Sequence, residues 1–274
     1  TNADEETTLD FQENLSTLAD HPHQYHLVES EEEAHELCRS ILTFSQVAFD
    51  TETTSVDAMQ AQLVGMSFAV EGGTAWYVAV SRETEATQRM VDAFRPFFEH
   101  PSIEKVGQNL KYDLLVLSHY GVEVAGPLFD TMLAHYVVQP EQRHNMDLLA
   151  ENYLHYRTIP IESLIGSGRT QRNMADLEPK EIVDYACEDA DVTLRLYPIL
   201  KEEMEKYEVT SVFTHIEMPL LPVLARMERN GVRLDTAALE ETGRNFTERM
   251  QQLETDIYEL AGHAVSYTHL RAHE

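Results

Sequence analysis

Short apolar runs bounded by polar residues predict that the front half of the chain is rich in strands. Five runs have the length and pattern of strands, at residues 24–28, 47–50, 62–70, 74–80 and 103–107. Glu71-Gly72-Gly73 separates two of them and is typical of a hairpin turn. The second, third and fourth runs follow one another closely, so we predict that they pair in antiparallel order.

Apolar positions at helical spacing predict helices after the first strand and through most of the second half. Ser30 followed by Glu33 is a capping-box pattern, which predicts a helix that begins there and continues through Leu42. Further helices are predicted at residues 83–99, 110–120, 129–138, 146–154 and from Pro179 past Leu200. Strands followed mainly by helices predict an α/β domain in which helices flank a mixed central sheet.

Changes of composition along the chain predict four segments. Residues 1–22 are polar and lack periodicity, which predicts a tail or linker. Residues 23–208 form the main domain, and residues 209–264 predict a helical extension with too few apolar positions for a core of its own. Residues 265–274 follow no pattern, and we interpret them as a non-native tail.

The composition favours one large folded domain with an appendage. The chain has 274 residues, of which 43% are hydrophobic, and no apolar run is long enough to span a membrane. We find no basic and apolar leader of the kind that directs secretion, so we expect a cytoplasmic protein. Cys38 and Cys187 form neither a disulfide framework nor a paired metal-ligand spacing, and we expect both to be buried.

The net charge of −28, from 48 acidic and 20 basic residues, bears on the partners of the protein. Binding of phosphates normally relies on Lys and Arg, so this charge weakens an interpretation as a nucleic-acid-binding protein. Many of the acids, however, lie in runs typical of exposed helix faces, and a metal bound by acids adds positive charge. The charge therefore disfavours nucleic acid as a partner without excluding it.

Two carboxylates stand at the end of the second predicted strand. Asp50 and Glu52 alternate with Thr51, so in an extended chain both acids point to one face and Thr51 points to the other. Two acids on one face repel each other unless a cation lies between them, which indicates a site for a hard divalent metal. Taken alone, the same pattern fits a solvated strand end, so other residues have to decide.

Further acids occur where a site at the end of the sheet could recruit them. Asp113 closely follows a predicted strand. Tyr185 and Asp189 are four residues apart on a predicted helix, so they share one face, whereas Asp191 faces elsewhere. Taken alone, Tyr185 and Asp189 also fit a hydrogen-bonding pair on the surface.

Together these residues resemble a known set of motifs. Three short patterns are similar to the exonuclease motifs of the DEDD (DnaQ-like) superfamily, tyrosine subtype: Asp50-Thr51-Glu52, Asn109-x-x-Tyr112-Asp113 and Tyr185-x-x-x-Asp189. The longer stretches that resemble the 3′→5′ proofreading exonuclease domain of bacterial family A DNA polymerases are 106–113, 129–132, 143–147 and 185–193. The resemblance covers roughly residues 24–262, and three motifs in order are far more specific than any one alone.

The resemblance implies a ribonuclease H-like fold and a metal-dependent 3′→5′ exonuclease. Its partner would be a single-stranded or frayed DNA 3′ end, and its product would be nucleoside monophosphates. The resemblance also implies that residues 23–208 are the exonuclease domain. Residues 209–264 would begin a polymerase region with thumb helices, whose body is missing from this chain.

The resemblance further implies a role for each site residue. Asp50, Glu52 and Asp189 would hold one Mg²⁺ or Mn²⁺ ion, and Asp50 with Asp113 would hold a second. Tyr185 would orient the attacking water. The residues expected to contact the DNA strand are Thr51, Val56, Gln108, Asn109, Tyr112 and Arg143. Among these, Val56 is expected to act as an apolar wedge against the terminal base.

Two other functions stay open. An exoribonuclease similar to RNase D shares these motifs, although the polymerase-like sequence after Val209 argues against it. An inactive structural module is the other alternative, because some family A polymerases retain this fold without its acids. The four acids and the tyrosine of this chain argue against inactivity.

Overall fold

The computed structural model of the chain describes residues 15–265, and its centre is a mixed sheet of six strands. The strands are β1 (Gln24–Val28), β2 (Gln46–Thr53), β3 (Leu63–Glu71), β4 (Thr74–Ala79), β5 (Glu104–Gly107) and β6 (Leu128–Asp130). Their order across the sheet is β1-β4-β3-β2-β5-β6. β2 pairs with β3 and β3 pairs with β4 in antiparallel order, as predicted, whereas β1–β4, β2–β5 and β5–β6 are parallel pairs.

Ten α-helices lie within the described residues. They are α1 (Glu31–Ile41), α2 (Thr84–Phe98), α3 (Leu110–Ser118), α4 (Thr131–Val138), α5 (Met146–Leu149), α6 (Ile161–Ile165), α7 (Pro179–Lys206), α8 (Thr210–Val212), α9 (Met218–Asn230) and α10 (Thr236–Ala261). The helix predicted after Ser30 begins as expected, because the Ser30 hydroxyl accepts a 3.3 Å hydrogen bond from the Glu33 N–H. The Glu33 carboxylate in turn accepts from the Ser30 N–H at 3.3 Å, which completes the capping box.

Two parts of the chain differ from the sequence-based expectation. The run at 129–138, predicted as one helix, begins as strand β6, and Asp130 then caps α4 by accepting from the N–H groups of Met132 and Leu133. The single-helix prediction was wrong because the apolar run continues without a break from strand into helix. Residues 156–179, predicted as a loop, contain α6 and two short 3-10 turns.

Strand β2 carries its acids into the protein because apolar side chains bury both of its faces. Phe49 and its cross-strand partner Phe68 pack against α2, with Phe68 4.5 Å from Phe94 and Phe49 5.3 Å from Phe98 between ring centroids. Ala48 points to the other face, since side chains alternate along a strand, and there the sheet contacts α7. The acids two and four residues after Ala48 therefore also face α7.

Helix α7 brings the third acid to the end of β2. Pro179 begins this helix of 28 residues, which contacts strands β1 to β5. Ala186 and Ala190 are fully buried, and their small side chains let the helix lie close to the sheet. Asp189 belongs to the same buried stretch, so its carboxylate lies inside the fold.

The chain divides into two compact units, Thr1–Arg229 and Asn230–Glu274. In the first unit, residues 15–22 are attached through Ser16, whose N–H donates to His155 O at 3.0 Å and whose carbonyl accepts from Arg157 N–H at 2.8 Å. The second unit contains α10, and none of its described residues is buried. The outer parts of the predicted tails, residues 1–14 and 266–274, lie outside the described residues.

Two further expectations concern burial and membranes. Cys38 and Cys187 are both buried and carry free thiols, as predicted. Within residues 15–265, no helix combines the length and the hydropathy needed to cross a membrane.

Candidate active site

Three carboxylates from two elements converge at the end of β2. Asp50 and Glu52 project from β2, and Asp189 projects from α7. One carboxylate oxygen from each side chain lies within 4.8 Å of the other two. The fold therefore brings together the three acids that the sequence places in one metal site.

Asp113 lies in the same cleft but outside this cluster of three. It is buried on the first turn of α3, and its Oδ1 accepts a 2.6 Å hydrogen bond from the Thr51 hydroxyl. Thr51 extends from the face of β2 opposite to Asp50, as the alternation along a strand predicts. Burial, and then the Asp50 carboxylate, raise the pKa of Asp113 well above its ordinary value. Asp113 is thus held beside the cluster and is coupled to it by charge.

Burial and mutual repulsion disfavour the charged forms of the three clustered acids. Burial raises the pKa of Asp50 to about 7. Burial, and then the Asp50 carboxylate, raise the pKa of Glu52 well above its ordinary value. The pKa of Asp189 is raised by burial and then by both neighbouring carboxylates. A cation bound among these oxygens would counter both effects.

Glu52 Oε1 gives an independent indication that the cluster suits a metal ion. This oxygen is buried and accepts no hydrogen bond from any residue in the described range. A buried polar atom without a partner is costly and uncommon in folded proteins. Asp50, Glu52 and Asp189 offer carboxylate oxygens, the ligands that hard divalent cations such as Mg²⁺ prefer. These three residues therefore fit a divalent metal.

Tyr185 lies one turn before Asp189 on α7 and lines the same cleft. Burial, and then the Asp189 carboxylate, raise the pKa of the Tyr185 hydroxyl far above the neutral range. The hydroxyl therefore keeps its proton at neutral pH, and it can both donate and accept a hydrogen bond beside the acids.

The acids lie in a cleft of about 860 Å³. The turn after β2 forms one side of this cleft, and the Val56 side chain on that turn is 98% exposed. The Tyr112 hydroxyl hydrogen-bonds to the Thr53 hydroxyl and donates to the Ser55 carbonyl. Tyr112 therefore orders the turn that presents Val56 to the cleft.

Gln108 and Asn109 line the cleft after the end of β5. Gln108 Nε2 donates to His144 O at 2.7 Å, and Gln108 Oε1 accepts from the Thr131 hydroxyl. Asn109 has a left-handed φ of 62° and turns the chain into α3. Since Gln108 has two amide N–H groups, one of them is left for a bound molecule.

Asp130, to which the sequence pattern assigns no role, holds this corner of the site. Its buried carboxylate accepts from the N–H of Leu110 at 2.7 Å and from the N–H of Asn109 at 3.2 Å, in addition to capping α4. Burial raises the pKa of Asp130 to about 6. Asp130 thereby ties α4 to α3, the helix that carries Asp113. The sequence can show that Asp130 caps α4, but it cannot show that the same carboxylate also holds the start of α3.

Of two arginines, Arg143 lies outside the lining of the cleft and Arg172 lies within it. Arg143, predicted to contact the DNA strand, is exposed before α5 and is absent from the described residues that line the cleft, so that contact stays a prediction. The segment 161–173, predicted as a loop, forms a second wall of the cleft and brings Arg172 into its lining. No sequence motif points to Arg172, because the tertiary fold alone creates this wall.

The sequence model of the family described as 3′-5′ exonuclease matches residues 25–205. This match covers most of the chain, and the chain therefore belongs to the 3′-5′ exonuclease family. The resemblance found in the sequence is confirmed.

Curated relatives point to a more particular group of proteins. DNA polymerase I of Pseudomonas aeruginosa is 44% identical over 226 residues, and DNA polymerase I of Rhizobium leguminosarum is 40% identical over 240 residues. Each alignment covers 79% of this chain but only 25% and 24% of the respective relative. The chain thus spans about a quarter of the length of these relatives.

Solved structures share the fold. The POL domain of Pol1 from M. smegmatis, in complex with DNA primer-template and dNTP, has a TM-score of 0.72 at 20% identity and covers 89% of this chain and 39% of that chain. Brucella melitensis NrnC bound to pGG has a TM-score of 0.59 at 18% identity and covers 77% and 94%, respectively. These similarities confirm the predicted ribonuclease H-like α/β fold.

Proposed function

We propose that this chain is a metal-dependent 3′→5′ exodeoxyribonuclease. Its substrate is a single-stranded or frayed DNA 3′ end, from which it releases nucleoside 5′-monophosphates. Membership of the 3′-5′ exonuclease family supports the reaction, and relatives that are DNA polymerases I support DNA as the substrate. Residues 23–208 act as the exonuclease domain, and residues 209–264 correspond to the start of a polymerase region.

The observation that carries this proposal is the cluster of Asp50, Glu52 and Asp189, in which Glu52 and Asp189 are buried and Asp50 is partly exposed. Three acids with raised pKa values and one unpartnered oxygen cost the fold stability when no cation is bound. Such a costly arrangement in a cleft is typical of a functional site. Asp50, Glu52 and Asp189 would hold one Mg²⁺ or Mn²⁺ ion, and Asp50 with Asp113 would hold a second. Such ions, when bound, stabilise charge on a phosphodiester and make water a better nucleophile.

The protein's own side chains orient the reacting groups. The Tyr185 hydroxyl, which is protonated at neutral pH as a phenol ordinarily is, orients the attacking water beside Asp189. Thr51 keeps Asp113 in position through its 2.6 Å hydrogen bond. The remaining N–H of Gln108 is available to the strand end, and Val56 contacts the terminal base.

The test is degradation of single-stranded DNA labelled at its 5′ end, measured in the presence of Mg²⁺ and in the presence of EDTA. We expect stepwise shortening and nucleoside 5′-monophosphate product with Mg²⁺ only, and faster cleavage of DNA than of RNA of the same sequence. Asp189→Asn should lower kcat/KM by several orders of magnitude, because it removes one of the carboxylates that would hold the metal, and the groups of such a site act together. Asp184→Asn, the same change at an exposed position of α7, is the matched control. An Asp189→Asn variant as active as this control would refute the site.

A further inference from the structure

The cleft carries far more acidic than basic side chains, although its proposed substrate is a polyanion. The cleft contains Asp50, Glu52, Asp113 and Asp189. Among the described residues that line it, Arg172 is the one Lys or Arg side chain. A strand in this cleft would bring a negative phosphate for each nucleotide, and Arg172 is the side chain whose charge can meet one of them.

The guanidinium of Arg172 is largely uncommitted. Its Nη2 donates to Leu164 O at 2.9 Å, and its nearest carboxylate is Glu181, with an Nη2–Oε1 distance of 3.8 Å. Both members of that ion pair are about half exposed, so the pair contributes little stability. The other Glu181 oxygen accepts from the Glu178 N–H at 2.9 Å and helps to begin α7. Several of the five N–H donors of Arg172 thus remain for a ligand.

The wall that carries Arg172 is closed on itself and fastened to the turn after β2. The Arg172 N–H donates to Ile165 O at 2.8 Å, which closes the loop between them onto α6. The neighbouring Asn173 Nδ2 donates to Thr54 O at 2.8 Å, on the turn that follows β2. Arg172 is therefore held at a constant position relative to the end of the strand that carries Asp50.

We propose that Arg172 binds a backbone phosphate of the DNA strand inside the cleft and thereby sets the affinity for substrate. A guanidinium with free donors brings a positive charge to a phosphate, and that charge supplies most of the attraction. Arg172 lies on the wall, outside the cluster of acids, so its contact is the same before and during cleavage. Such uniform binding lowers KM and leaves kcat unchanged. This inference rests on the proposed nuclease function and extends it.

The test compares three variants on a single-stranded DNA substrate at several salt concentrations. Arg172→Gln removes the charge and keeps a polar side chain, whereas Arg172→Lys retains the charge. Arg39→Gln is the matched control, because Arg39 is exposed on α1 and is 3.9 Å from Glu36. We expect Arg172→Gln to raise KM ~10-fold with kcat within about twofold of the parent. The slope of log KM against log salt should fall by about 0.7.

The outcomes separate this inference from the proposed function. Arg172→Lys should restore most of the affinity, and Arg39→Gln should match the parent. The inference is wrong if Arg172→Gln and Arg39→Gln have the same KM and salt slope, or if Arg172→Lys loses as much affinity as Arg172→Gln. An inactive parent would instead refute the nuclease function. Fluorescence anisotropy of a labelled strand would then still test whether Arg172 contributes to DNA binding.

Discussion

Glu52 is a residue whose charge opposes folding when no metal is bound. One of its oxygens is buried without a hydrogen-bond partner in the described range. Burial raises the pKa of Glu52, and the charge of the Asp50 carboxylate raises it further. An unsatisfied buried polar group costs about 1–3 kcal/mol, and a charged group costs more. Such a cost is expected at a functional site, where residues needed for chemistry can lower the stability of the fold.

Glu52→Gln should therefore stabilise the metal-free protein and remove most of its response to metal. The amide preserves the size of the side chain, removes one negative charge and can donate to a neighbouring carboxylate. We expect the free energy of unfolding in EDTA to rise by ~1 kcal/mol or more. The added stability in excess Mg²⁺ should nearly vanish, since a ligand stabilises only the state that binds it. Urea unfolding with and without Mg²⁺ measures both effects.

The control for this prediction is Glu32→Gln, which makes the same change at an exposed position of α1. That variant should respond to Mg²⁺ as the parent does. A Glu52→Gln protein that is less stable than the parent in EDTA would contradict the argument.

Whether a site residue could be predicted from sequence depends on what fixes its direction. The alternation of β2 orients Asp50 and Glu52, and the helical spacing orients Tyr185 and Asp189, so local geometry was sufficient. Arg172 was missed because its place in the cleft depends on how residues 161–173 fold back. That arrangement is set by hydrogen bonds between residues far apart in the chain, such as Asn173 to Thr54.

At the scale of elements, β5 shows how a short apolar strand can hide a buried charge. Lys105 is fully buried in this strand, which the sequence predicts as apolar. Its Nζ donates to His100 O at 2.5 Å and to Ala125 O at 2.6 Å, so it joins the segment before β5 to the segment before β6. Burial lowers the pKa of Lys105 to about 8. Periodicity alone could not find this role, since both partners are backbone carbonyls.

Lys105 should make the stability of the fold depend on pH between about 8 and 10.5. In this window the unfolded chain holds the proton that the folded protein has lost, so raising the pH favours folding. The fall of the pKa from 10.5 to about 8 is equivalent to at most about 3 kcal/mol. We expect the free energy of unfolding of the parent, minus that of Lys105→Met, to rise by up to this amount across the window.

The measurement is urea unfolding of both proteins at a series of pH values. The difference between the two proteins cancels the titration of tyrosines and other shared groups. Carbonyls left unpaired by methionine lower the stability equally at every pH, so they do not change the slope. A difference that is flat from pH 8 to 10.5 would show that Lys105 keeps its proton in the fold.

For the whole molecule, the acidic balance leaves few basic side chains to hold the proposed DNA substrate outside the cleft. The chain has 48 acidic and 20 basic residues, and Arg172 is the one basic side chain among the described residues that line the cleft. Electrostatic contact with phosphates dominates nonspecific affinity for DNA and weakens steeply with salt. Binding by this chain should therefore be weak, sensitive to salt and confined to the strand that enters the cleft.

The acidic balance and the buried acids together predict an order of substrates. The acids lie inside a cleft, so the 3′ end of the proposed substrate would have to leave a duplex before its phosphodiester could reach them. Separating a paired end costs ~1.4 kcal/mol for each base-pair step, which lowers the frayed population roughly tenfold per step. We therefore expect single strands to be degraded fastest, then duplexes with a mismatched 3′ end, and fully paired blunt ends slowest.

Initial rates on the three substrates, at low and moderate salt and with equal end concentrations, test this order. A mismatch removes the cost of the first step, so its advantage over the blunt end should be about tenfold. Raising the salt should slow all three through weaker binding. Heating within the range where the protein stays folded should narrow the gap, because fraying becomes easier. A blunt duplex degraded as fast as the single strand would mean that the cleft opens paired ends by itself.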